Sequence, residues 1–338
     1  MKRILTVLLI LIFVVGLFSL VSNKSSTIVP KPEQIQTSSN PLSIQAMREK
    51  NYPGSSITIE QTLEPASNYN QYIASYKSDG LKIYALLTVP TGEKPKNGWP
   101  VIIFNHGYIP PEQYRTTERY VAYVDYFARN GYIVFKSDYR GNGSSEGQPE
   151  GAYYSPAYAT DVLNAVSSIK KFKDADPNRI GMWGHSMGGN ITLRDLVVDT
   201  KDIRAAVIWG GVVGSYEDLM FNWQRKVPFQ PGPKELALRN RYRQNLVQKY
   251  GDPRTNPSFW NSIDPTNYVK DITAPIQLDV GGSDEEVPVE FSKSLRDKLQ
   301  KAGKIVEYYE YPGSDHNISQ GFDLAMQRSL DFFNKYLK

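Results

Sequence analysis

The chain has 338 residues, with 39 Lys plus Arg against 35 Asp plus Glu, three His and no Cys. The formal charge of +4, half of it from Lys2 and Arg3, is too small to imply nucleic-acid binding, and the missing Cys excludes disulfides, thiolate nucleophiles and Cys-ligated zinc or iron–sulfur centres. Apolar residues at 40% and charged residues at 22% are those of a folded protein, long enough to bury a large core in one or two domains.

Residues 4–21 read ILTVLLILIFVVGLFSLV, 18 positions without a charge or a Pro. This run is expected to be an N-terminal membrane anchor (signal-anchor), with a cleaved signal peptide as the alternative. Lys2 and Arg3 ahead of it would leave the body outside the cytoplasm, so an extracytoplasmic, membrane-anchored or secreted protein is expected. Residues 22–55 then read as a polar tether and lead-in, with three Pro among residues 22–41.

Residues 56–338 read as one domain. Strands are expected at 56–64, 69–75 and 81–89, the last two separated by the turn Ser78-Asp79-Gly80 and all three forming an antiparallel lead-in. The pattern then changes to short, continuous apolar runs, the mark of strands covered on both faces. Such strands are expected at 101–104, 132–135, 179–183, 203–209, 276–280 and 305–309. Helices are expected between or after them at 117–130, 157–172, 189–198, 289–302 and 319–337. This alternation predicts an α/β fold, a mostly parallel central sheet with helices on both faces. One stretch, residues 215–273, interrupts it between two strands and contains a helical pattern at 233–250. It is expected to be an inserted helical cap over the C-terminal edge of the sheet, where open α/β sheets bind ligands. A nucleotide-binding fold would need Gly-x-Gly-x-x-Gly or a Walker sequence, and Gly141-Asn142-Gly143 is neither.

The chemistry concentrates in Gly184-His185-Ser186-Met187-Gly188, a Gly-x-Ser-x-Gly sequence between an expected strand and an expected helix. Small residues allow a tight strand-to-helix turn that exposes a Ser hydroxyl at a helix N-terminus, so Ser186 is the candidate nucleophile. A weak alcohol needs a base, and the base needs an orienting carboxylate. His316 is the only His after the nucleophile and falls in an expected loop, which makes it the candidate base. Asp284, beyond the strand 276–280, is the candidate acid, with Glu285, Glu286 and Asp315 as rivals. The backbone N–H of Met187 and that of Tyr108, in the loop after strand 101–104, are candidate oxyanion donors. No metal or organic cofactor is required by this scheme.

These segments together resemble the α/β-hydrolase superfamily: His106-Gly107, Asp138-Tyr139-Arg140-Gly141-Asn142-Gly143-Ser144-Ser145, the Ser186 turn, Asp284 to Pro288, and Pro312-Gly313 to His316. They are most similar to the catalytic domain of prolyl-oligopeptidase-like (S9-type) serine peptidases, with dienelactone-hydrolase-like esterases nearby. The resemblance, over roughly residues 80–338, implies Ser186, Asp284 and His316 as the triad and Met187 and Tyr108 as oxyanion donors. It also implies an architectural role for Asp138 to Arg140. The stretch before the catalytic part is too short for a β-propeller, so an esterase or aminopeptidase-like enzyme is expected in place of a strict oligopeptidase.

The expected substrate is a small acyl ester or a short peptide, with no nucleic-acid partner. Tyr108, Phe221, Trp223 and Trp260 are candidate substrate contacts, and Phe229 and Phe259 add to the aromatic content of the cap. A basic run in the cap, from Arg225 to Lys249, is expected to be a solvated face, with anionic-substrate, peptide C-terminus or membrane-surface contact as the alternative. Glu217, Asp218 and Glu235 are candidates for pairing with a substrate amine. A lipid-type acyl hydrolase and a non-enzymatic binding module on a hydrolase fold are the alternatives.

Overall fold

A computed structural model describes residues 40–150, 153–228 and 233–338. Short strands of β-branched and aromatic residues pair into a nine-stranded sheet. In chain order the strands are β1 (Thr58–Thr62), β2 (Tyr69–Ser78), β3 (Leu81–Pro90), β4 (Trp99–Asn105), β5 (Ile133–Ser137), β6 (Ala175–His185), β7 (Ile203–Trp209), β8 (Ile276–Gly281) and β9 (Val306–Tyr311). Their spatial order is β1-β2-β3-β5-β4-β6-β7-β8-β9. β1, β2, β3 and β5 pair antiparallel, and every neighbour from β5 through β9 pairs parallel. The β2–β3 hairpin closes through Asp79 and Gly80, both at positive φ, a two-residue turn whose twist matches that of its strands. The architecture is thus the expected α/β-hydrolase one, a largely parallel sheet flanked by helices.

Alternation along the central strands feeds two cores. Val101 and Ile103 face one side with α3 (Ala157–Ile169), α4 (Met187–Val198) and α7 (Val289–Lys301). Ile102 and Phe104 face the other with α2 (Val121–Arg129) and α8 (Phe322–Leu337). All four strand residues are fully buried, which is why this segment reads as an unbroken apolar run. The chain leaves β4 in one direction to β5 and returns across it to β6. The crevice beyond the C-terminal ends of β4 and β6 is therefore a topological switch point.

Three differences from expectation have local causes. α1 (Ile44–Glu49) lies inside the stretch read as a lead-in; Ser43 caps it by accepting from Ala46 N–H, and Ile44 and Met47 are buried. α2 starts at Val121, not 117, because Arg119 and Tyr120 adopt left-handed φ values of 58° and 53° that no helix continues. α4 starts at Met187, immediately after Ser186. The insertion between β7 and β8 contains α5 (Pro233–Tyr250) and α6 (Pro257–Ile263).

The N-terminal anchor at residues 4–21 lies outside the described residues. Among the described residues no helix is long and apolar enough to cross a membrane. α5, the longest among the described residues at 18 residues, carries five Lys or Arg (Lys234, Arg239, Arg241, Arg243, Lys249). The expectation of a membrane-anchored, extracytoplasmic protein is corrected accordingly and is not retained.

Candidate active site

Ser186 sits at the junction of β6 and α4 with φ 55° and ψ −118°, a conformation costly for any residue with a Cβ. Close packing holds the turn. A Cβ at Gly184 would stand 2.3 Å from Thr192 Oγ1, and one at Gly188 would stand 1.9 Å from the Asn105 carbonyl oxygen. The end of β4 is thus pressed against the first turn of α4. Met187 is the first residue of that helix, so its N–H has no acceptor within the helix.

Beyond β8, a tight turn presents Asp284, and beyond β9 a loop presents His316; both side chains are buried. His316 Nδ1 donates to Asp284 Oδ2 at 2.7 Å. Asp284 Oδ1 accepts from the N–H groups of Glu286 (2.8 Å) and Val287 (2.9 Å). With the proton on Nδ1, the neutral ring keeps a lone pair on Nε2. That Nε2 is buried and has no hydrogen-bond partner. The rival acids are engaged elsewhere. Glu286 pairs with Arg225, Glu285 is exposed, and Asp315 caps its own loop through Ser319 and Asn317.

Ser186 and His316 line one cavity of about 480 Å³, within the range of small-molecule sites. Gly107, Tyr108 and Trp223 line it too. Trp223 Nε1 donates to the Glu286 carbonyl, and Lys226 N–H donates to that of Glu285, so the start of the insertion is bonded to the Asp284 turn. Phe221 and Trp260 are not brought to this cavity. Phe221 stacks under Arg254, and Trp260 is buried against Phe259 and Tyr216 with its Nε1 bonded to Gly251 O. Phe229 and the side chain of Glu235 lie outside the described set. Glu217 pairs with Arg254 and Asp218 with Ser215, and neither lines this cavity.

Sequence reasoning did not anticipate Tyr120, Tyr123, Tyr153 and Arg119 in the lining, and it weighed Glu286, which also lines the cavity, only as a rival acid. Tyr120 and Tyr123 fall in a stretch that reads as plain helix, and nothing local marks them. The other two His are buried and uncharged: burial pushes both His106 and His185 down to about 3. His106 is stacked between Tyr114 and Tyr139. Among the described residues no cluster of three or more His, Asp or Glu is arranged to hold a metal ion.

The pattern of the prolyl oligopeptidase family matches residues 119–338. The chain is 24% identical over 255 residues to the uncharacterized peptidase YtmA of Bacillus subtilis, covering 75% of this chain and 88% of that one. Several other curated relatives are longer, and the chain spans 32% and 34% of two of them. Among solved structures, it superposes on acetyl xylan esterase 1 from Thermoanaerobacterium sp. with a TM-score of 0.62 at 20% identity, covering 86% of this chain and 90% of that one. It superposes on the Pyrococcus horikoshii acylaminoacyl peptidase with a TM-score of 0.63 at 22% identity, covering 80% and 42%. At these identities the structural likeness establishes the shared fold.

Proposed function

This chain belongs to the prolyl oligopeptidase family, and from that premise we propose that it is a serine hydrolase cleaving carboxylic ester or amide bonds through an acyl-enzyme on Ser186. The observation that carries the reading is the Asp284–His316 pair, which leaves a buried, unpartnered Nε2 in the cavity that Ser186 lines.

In this scheme His316 Nε2 takes the proton as Ser186 Oγ adds to the substrate carbonyl carbon. The N–H groups of Met187 and Tyr108 receive the oxyanion of the tetrahedral adduct, and the N-terminal end of α4 adds a favourable field. Collapse of the adduct breaks the bond to the leaving alcohol or amine, which takes the proton from Nε2. Water then adds to the acyl group, gives its proton to Nε2, and the acid departs as Oγ regains a proton. Asp284 holds the ring in the tautomer that each step needs and stabilises the imidazolium.

The aromatic lining from Tyr108, Tyr123, Tyr153 and Trp223 suits an apolar acyl group. Glu286 is the one carboxylate among the described lining residues, and Arg225 already pairs with it. A substrate with a free amine would compete with that guanidinium. Esters and N-blocked amides are therefore expected to outperform free aminoacyl amides.

The test is a panel of p-nitrophenyl acyl esters against free and N-acetylated aminoacyl-p-nitroanilides, run on wild type and Ser186→Ala. Turnover by wild type that falls roughly 10³-fold or more in the variant is expected. Equal turnover in the variant, or inert wild type across the panel, contradicts the proposal, and the inert case favours a binding module on a hydrolase fold.

A further inference from the structure

We propose that Tyr120 is a positioning residue for this reaction: through His185 it ties the loop bearing Gly107 and Tyr108 to the main chain of His316. The inference rests on the serine-hydrolase reading and names a residue pair that the triad scheme leaves unused.

The hydrogen bonds run in one unbroken chain. Gly107 N–H donates to Tyr120 Oη at 2.9 Å. Tyr120 Oη lies 2.7 Å from His185 Nδ1. His185 Nε2 lies 3.1 Å from the carbonyl oxygen of His316. Chemistry fixes the direction of each link. A carbonyl only accepts, so His185 Nε2 carries the proton. Burial keeps the ring neutral, so Nδ1 offers a lone pair and the Tyr120 hydroxyl donates to it. The Tyr120 oxygen is then left to accept from Gly107. One phenol and one imidazole thus set the register between the loop that supplies an oxyanion donor and the loop that supplies the base.

Two further observations point the same way. Arg119 and Tyr120 are consecutive non-glycine residues at positive φ, strained backbone placed where Tyr120 enters the site. A Cβ at Gly107 would stand 2.6 Å from Tyr120 Oη, 3.2 Å from His185 Nδ1 and 3.2 Å from Ser186 Cβ. The junction therefore has room for glycine alone. The Tyr120 ring also packs on Phe104 and Trp183, so Phe at position 120 keeps the packing and removes only the hydroxyl.

The experiment compares wild type, Tyr120→Phe, His185→Ala and the double variant with p-nitrophenyl acetate, alongside thermal unfolding and 15N NMR of labelled histidines. For Tyr120→Phe, kcat is expected to fall about 10- to 100-fold, because misplacing a donor or base by a fraction of an ångström costs that much. KM should stay within about twofold and the melting temperature should hold, as uniform binding and packing are untouched. The His185 Nδ1 resonance should move while its Nε2 stays protonated. The double variant should be no slower than the worse single variant, since both break one chain. Unchanged kcat in Tyr120→Phe beside an active wild type overturns this proposal alone. So does a kcat loss matched by a fall in melting temperature, or full additivity in the double variant. A wild type inert toward the ester overturns the hydrolase reading and this one with it.

Discussion

Asp284 meets His316 with one carboxylate oxygen while its other oxygen accepts two backbone N–H groups from its own turn, at 2.7, 2.8 and 2.9 Å. The carboxylate is thus locked by the chain segment that carries it, and the imidazole is locked by the carboxylate. Asp284→Asn keeps the shape but puts an amide where Nδ1–H needs an acceptor. Steady-state ester hydrolysis should show kcat reduced roughly 10³- to 10⁴-fold, with the melting temperature nearly unchanged. A loss under tenfold would place the orienting carboxylate elsewhere.

Gly188 is expected to tolerate no side chain. Its added Cβ would meet main-chain atoms of Asn105 and His106 at 1.9, 2.5 and 2.8 Å, and backbone cannot swing aside as a long side chain does. Gly188→Ala should lower stability by about 1–3 kcal/mol in urea unfolding. It should also reduce kcat, because the end of β4 leads directly into Gly107 and Tyr108.

Arg140 makes the opposite kind of contact, structural and remote from the cavity. Its Nε and Nη2 grip Asp161 at 2.7 to 3.1 Å, and its own N–H donates to the same carboxylate at 2.8 Å. Asp161 is fully buried. Asp161→Ala leaves the guanidinium only its longer 3.3 Å contact to Asp79 and should cost about 2–4 kcal/mol, read by thermal or urea unfolding. The folded fraction should retain its kcat. That outcome is what the architectural role implied by the family resemblance for the segment Asp138 to Arg140 requires.

Much of this was legible in the residues. The doubly covered strands announce themselves as apolar runs, and the Gly-x-Ser-x-Gly pentapeptide sits where one such run meets a helix. The structure then brings His316 and Asp284, 32 positions apart in the chain, into hydrogen-bond contact. Composition was a poorer guide. Trp223 and Trp260 look alike as cap aromatics, yet one lines the cavity and the other is buried glue between α6 and Tyr216. That difference is set by packing, which no local pattern encodes. Tyr120 was invisible for a similar reason: its partners Gly107 and His185 are 13 and 65 positions away. The left-handed pair at 119–120 stands in place of the expected first turn of α2, where Tyr120 contacts Gly107, His185 and Phe104.

Asp279, on β8, should give the stability a pH dependence. It is fully buried, accepting from Gln277 Nε2 and Tyr311 Oη, and burial raises its pKa to about 7. The folded state therefore holds this proton more tightly than the unfolded chain, whose carboxylate titrates near 4. The group carries no penalty below about pH 4, stability falls by on the order of 1 kcal/mol per unit as pH rises toward 7, and the penalty is constant above. Asp279→Asn should remove that slope. The stability of the variant relative to wild type should rise between pH 5 and pH 7 in urea unfolding. A constant difference across that range would show that the group is already ionised.

The most direct test of the central claim is covalent labelling of the folded chain with a fluorophosphonate, followed by peptide mass spectrometry. The expected result is one adduct, on Ser186, formed rapidly by wild type and suppressed in a folded His316→Ala variant. No adduct on Ser186, or equal labelling with and without the imidazole at 316, would contradict it.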